Sequence, residues 1–191
     1  MAKPKTVKTA FELASARVHV NYERDMLKFC ADTLSAGGDD SNRRNALLES
    51  FAIHTRSLMY FLFTSDVDRE VHDDMVAEQF VADPAKWDAA RGGVSSVFHV
   101  VDFRAGKEVA HLTYERLSVG PISKAWDTVA IATELLRLMT LFDAHARPGT
   151  LAVPAATLPR IDVPVGSVGS TAKAYTVANT SKPRGHRSGS S

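Results

Sequence analysis

Four residues of this 191-residue chain have the types and spacing to do chemistry: Arg104, Glu108, His111 and Glu115. Arg104 and His111 are seven apart, two turns of an α-helix, so a helix would bring both to one face. Glu108 lies four from the first and three from the second, and Glu115 follows four beyond His111, completing a polar stripe beside the apolar Ala105, Val109 and Leu112. A guanidinium holds a phosphate through its fork of N–H donors, and an imidazole exchanges a proton near neutral pH. The stripe therefore suits a negatively charged substrate, with Arg104 and His111 as the catalytic candidates. Lys107, Arg116 and His54 are the candidate substrate contacts. The same stripe also fits a boundary face tied by ordinary i,i+4 ion pairs.

His54 stands out for its company. Leu47, Phe51, His54, Leu58 and Phe61 fall on one helical face, which points the imidazole into apolar surroundings. It reads either as a hydrogen-bonded core histidine or as a group reaching a polar pocket shared with His111. Glu49 and Arg56, seven apart on another face, read as a solvated or interhelical pair. Glu108 and His111 also have the Glu-x-x-His spacing of di-iron bundles, which need a second such motif and carboxylates on two further helices. The sequence holds no second copy, so neither a metal nor a cofactor is expected. His72, Asp73 and Asp74 are adjacent residues that diverge on a helix, and His145 suits the end of the last helix. Phosphate-binding glycine loops, a nucleophile elbow and zinc-finger spacing are absent from the sequence. The single cysteine, Cys30, excludes an internal disulfide and a multi-thiolate zinc site, and reads as a small buried apolar residue.

The elements that must position these groups are helical. Gly and Pro are sparse before residue 147 and fall mostly between segments. The pattern predicts a helix over about 10–34, stopped by Gly37 and Gly38. A second runs from the cap at Asp40 or Ser41 to Phe63. A short polar-rich piece covers 71–81. Pro84 and Trp87 follow in a connector, and Gly92-Gly93 make a break. A helix over 95–117 carries the stripe, interrupted by Gly106 and ended by Gly120-Pro121. The last helix, 123–146, is apolar nearly all round, which demands a central place or a subunit interface. Four long helices with short connections predict an all-α up-and-down bundle of four or five helices over 1–146.

Charge and composition change at residue 147. Residues 147–191 are rich in Pro, Gly, Ser and Thr, carry six basic residues against Asp162, and read as a disordered basic tail of net charge +5. Such a tail suits RNA or an acidic partner, or is simply solvated. The helical part, with 17 basic and 21 acidic residues, has a net charge of −4. No apolar run is long enough to span a membrane, and none follows Lys3, Lys5 and Lys8 at the start. A soluble cytoplasmic protein with no membrane partner is expected.

The run from Arg104 through Ala105-Gly-Lys-Glu-Val-Ala to His111 resembles the Arg-x4-6-His motif of the HEPN superfamily, small helical bundles found in prokaryotic toxin and phage-defence systems. The continuation to Arg116, the segment from Asn45 to Arg56 and the segment from Asp73 to Phe80 resemble stretches of uncharacterised bacterial HEPN-like proteins. Together the resemblance covers about 40–145 and leaves the tail out. It implies a homodimer in which two such motifs meet across the interface, and a metal-independent ribonuclease. In that activity His111 acts as acid or base in attack by a ribose 2′-hydroxyl and Arg104 holds the phosphate. It also implies RNA as substrate and an antitoxin as partner. Active members usually carry a polar residue, often Asn, directly after the arginine, where this chain has Ala105. Some HEPN domains are non-catalytic dimerisation or interaction modules, and that is the alternative.

Overall fold

The computed structural model describes residues 8–65, 74–98, 101–110, 114 and 125–150. Among them the chain is a helical bundle with no named strand. Compactness divides the chain into Met1–Leu158 and Pro159–Ser191, and only the first unit contains described residues.

Helix α1, Ala10–Ala36, begins at a capping box. The Thr9 hydroxyl accepts from the Glu12 amide at 3.2 Å, and the Glu12 carboxylate accepts from the Thr9 amide at 2.7 Å. Two otherwise orphaned helix N–H groups are satisfied by each other's side chains. The bond from Thr9 holds the Glu12 carboxyl below its usual value. The helix ends at Gly37, whose φ of +70° suits a residue without Cβ. Helix α2, Ser41–Phe63, starts where expected: Asp40 accepts from the amides of Asn42 and Arg43 at 2.9 and 3.0 Å.

Three parts of the chain depart from the sequence reading, the last helix among them. Residues around Pro84 and Trp87 are not a connector but a helix, α3, Pro84–Arg91. Asp83 caps it, accepting from the amides of Ala85 and Lys86 at 3.1 Å each, and Pro84 takes the first turn, where its missing N–H costs nothing. These bonds lower the Asp83 carboxyl's pKa, that from Lys86 most. The described part of the expected helix over 95–117 is not a single α-helix either, and 111–113 and 115–117 lie outside the described residues. A 3-10 turn, Ser96–Phe98, precedes a single α-helical turn, α4, Val101–Arg104, which opens into a π-helical stretch, Ala105–Ala110. Gly106 sits inside that stretch, where its unhindered backbone tolerates the wider turn. Of the expected piece over 71–81, the described part is a 3-10 turn, Ala77–Gln79.

Helix α5, Thr128–His145, is the last described element and lies in the core. It is not apolar on every side. Leu135, Leu138, Met139 and Phe142 are fully buried, while Arg137 and Thr140 face solvent and Arg137 grips Glu134 with two 2.8 Å bonds. Phe142 is the meeting point of the aromatic core. Its ring takes edge contacts from Phe61 of α2 at 5.1 Å, Trp87 of α3 at 5.8 Å and Phe80 at 6.2 Å. Each such pair adds about 0.5–1.5 kcal/mol beyond area burial. Arg17 of α1 completes the shell, its guanidinium 4.5 Å from the same ring.

Arg17 is 2% exposed and ion-pairs with Asp143, one residue beyond Phe142. It also donates to Asn21 at 3.2 Å, and Arg24 reaches the other Asp143 oxygen at 3.5 Å. Burial pushes the Arg17 guanidinium below its usual pKa, and Asp143 opposes that shift. Past α5, Arg147 donates from its amide to Phe80 O and from Nε to Val81 O, both at 2.8 Å. With the bridge between Val81 and Ala146, these bonds bind the chain beyond α5 to the 80–82 segment. Packed structure thus runs through Thr150, which is buried, past the change in composition at residue 147.

Removing one partner of a buried pair costs more than replacing both. Asp143→Ala is expected to lose about 3 kcal/mol in urea unfolding, whereas Arg17→Met with Asp143→Leu stays closer to the wild type. Stability is also expected to fall with acid. The carboxyl groups of Glu12, Asp83 and Glu134 are all held low, so their contribution is complete above the unfolded carboxylate values and disappears as pH drops through the folded ones. A lower urea midpoint at pH 3 than at pH 7 checks this.

Candidate functional site

Arg104 closes the α4 turn immediately before the π-helical stretch. Its backbone is fixed by the burial of Val101 and Ala105 on the core side of that turn, 1% and 3% exposed. Its side chain is half-buried and lies across the stretch that leads into α5. One Nη donates to the carbonyl of Ala125 at 3.1 Å, and the guanidinium sits 4.7 Å above the Trp126 ring. Such a cation–π contact is worth about 0.5–2 kcal/mol, and the carbonyl bond fixes the fork's orientation. Asp127 then caps α5, accepting from the Ala130 amide at 3.0 Å. Arg104 thus works as a clamp between the π-helical stretch and the start of α5.

The π-helix changes the geometry expected of the polar stripe. An i→i+5 turn takes more residues per revolution than an α-helical turn, so a seven-residue spacing no longer returns to the same angle. The reason for placing Arg104 and His111 on one face of one α-helix is therefore removed. His111, Glu115 and Arg116 lie outside the described residues, as does the side chain of Glu108. Lys107 is exposed on the π-helical stretch.

His54 is held elsewhere. It is 7% exposed, its Nδ1 lies 2.7 Å from Glu23 Oε2 on α1, and the Tyr22 ring meets it edge-on at 5.7 Å. This is a hydrogen-bonded histidine in the α1–α2 interface. Arg104 and His54 are therefore bound to different partners, one at the entry to α5 and the other on α1. His145, expected as a helix cap, lays its ring against Trp87 at 6.1 Å. Cys30 is fully buried and 3.5 Å from the Ser50 hydroxyl.

Sequence reasoning missed the partners. Glu23, Arg17 and Asp143 gave no local signal, because their pairings join residues 31 and 126 positions apart. It also missed two grooves beside α1, of 270 and 330 Å³, which share Asp74 and Met75. The smaller holds His19, Glu23 and the Tyr60 hydroxyl, which donates to Asp74 at 2.9 Å. Among the described residues, no three His, Cys, Asp or Glu side chains converge as a metal site. Comparison with known proteins found no matching family model, no matching curated protein and no matching solved structure.

Lysine offers a point charge in place of a planar fork and cannot reproduce both contacts of Arg104. Arg104→Lys is expected to cost about 1 kcal/mol in equilibrium unfolding. Amide exchange at residues 128–131 should quicken with it, since the clamp holds the entry to α5. Unchanged exchange there would mean that Arg104 does not hold that helix.

Proposed function

We propose that this chain is a HEPN-like helical module of the cytoplasm that works by association with another protein chain, without cutting RNA. The observation that carries this reading is the engagement of Arg104. A phosphate-binding guanidinium presents its fork to the ligand. This one already donates to the Ala125 carbonyl and stacks over Trp126. The residue after it, Ala105, is buried and offers no polar group. The net charge of −4 over residues 1–146 also opposes capture of a polyanion.

The second reading is a metal-independent ribonuclease of the toxin or phage-defence type, with His111 as acid or base, Arg104 on the phosphate, RNA as substrate and an antitoxin as partner. Its support is local. Arg104 keeps part of its surface in solvent and Lys107 is exposed beside it. The π-helical stretch between Arg104 and His111 is a kind of irregularity often found at functional sites. Among the described residues, no helix is long and apolar enough to cross a membrane.

Incubation of the purified chain with RNA in EDTA separates the two. The association reading expects no cleavage, with His111→Ala indistinguishable from the wild type. Cleavage that survives EDTA and disappears in His111→Ala would replace it with the ribonuclease.

A further inference from the structure

Helix α1 has a second apolar face. Its core residues Leu13, Val20, Leu27 and Ala31 lie on one side. On the opposite side Phe11 is 81% exposed, Phe29 54% and Tyr22 39%, with half-buried Val18 among them. At 3.6 residues per turn these four fall within about 20° of one line along the helix, spanning about 27 Å. The bundle covers this line only in part: Tyr22 meets His54 of α2 edge-on and Phe11 borders a groove with Met75 and Phe80, while Phe11 and Phe29 keep most of their surface in solvent.

Its spacing is symmetric. Phe11 and Phe29 stand nine residues on either side of Val20, Ser15 and Asp25 five, and Val18 and Tyr22 two. From this symmetry we infer that the exposed face of α1 is an isologous seam for a second copy of this chain, the two α1 helices running antiparallel and crossing at the level of Val20. This deepens the association reading by naming its partner, and it rests on that reading.

In this arrangement Phe11 of each copy stacks on Phe29 of the other, Val18 on Tyr22, and Ser15 lies level with Asp25. A single face then satisfies both copies, as a two-fold axis requires. Parallel pairing is disfavoured, because every residue would meet its own counterpart, bringing Asp25 against Asp25 and like helix ends together. The three aromatics expose about 350 Å² per copy, so a pair covers roughly 700 Å² with these rings alone. Val18, Ser15, Met26 and the flanking helix surface bring this toward the ~1,200 Å² that a specific interface needs. Tyr22 is already oriented by its contact with His54, so little of its freedom remains to be lost on association.

Light scattering on the full chain at tens of micromolar is the test. The seam requires twice the 20.8 kDa chain mass for the wild type. Phe29→Asp and Phe11→Asp should each weaken the dimer at least about thirty-fold, with unchanged circular dichroism because both side chains point away from the core. Phe11→Cys protein mixed with Phe29→Cys protein should oxidise to the mixed disulfide, which the fully buried Cys30 does not contest. A monomeric wild type, or a dimer indifferent to both aspartates, would overturn the seam. Disulfides formed only within each variant would overturn the antiparallel arrangement. RNA cleavage by an intact dimer would overturn the association reading and leave the seam standing, so the two failures are distinguishable.

Discussion

Phe142 is fully buried, and the described bundle is organised around its ring. α1 reaches it through Arg17, α2 through Phe61, α3 through Trp87, and the chain between α2 and α3 through Phe80. The constraint this imposes is unusual for an apolar core. One of the groups closing the shell is a guanidinium, which must be neutralised where it lies. Asp143, the next residue on α5, does that. Packing and charge are thus set by adjacent positions of one helix. Turning α5 enough to move Phe142 off the aromatic cluster also moves Asp143 off Arg17.

The same junction anchors the chain beyond α5. His145 packs on Trp87, and Ala146 and Arg147 bond back to the 80–82 segment. These contacts hold Phe80 and Trp87 against Phe142 from the far side. Arg91, at the end of α3, donates to the Leu62 carbonyl at 2.7 Å and lies 4.9 Å over Phe63, joining the ends of α2 and α3. Three arginines, Arg17, Arg91 and Arg104, each lie over an aromatic ring at a junction between elements. Guanidinium groups suit this work because their faces are weakly hydrated and stack on rings while their edges still donate.

That shared behaviour informs the functional reading. Arg104 does at the entry to α5 what Arg91 does at the end of α3. Each joins a ring contact to a bond with a backbone carbonyl. A residue acting as one of several similar clamps is economically explained by the fold. The proposed association rests instead on α1, which is apolar on two opposite sides.

Much of this was legible locally. The cap at Asp40, the stop at Gly37 and the inward face of α2 around Phe51, His54 and Leu58 depend on residues a few positions apart, and a sequence displays them directly. The helical class of the fold follows from them. Local signals were also present but outweighed at α3, where Pro84 reads as a breaker although it suits a first turn after a capping aspartate. The π-helical stretch lay beyond local reading, because widening a turn depends on which residues the core accepts, here Val101 and Ala105. So did the fates of the candidate residues. The apolar face around His54 correctly placed it inward, but only packing brought Glu23 to its Nδ1. Arg104 carried the same charge and spacing whether it faced a phosphate or an indole. The sequence by itself determined the helical class and the course of α1 and α2, because caps, stops and apolar periodicity act over a few residues. Tertiary structure decided what each buried charge would touch, because those partners lie far along the chain and meet only when the helices pack.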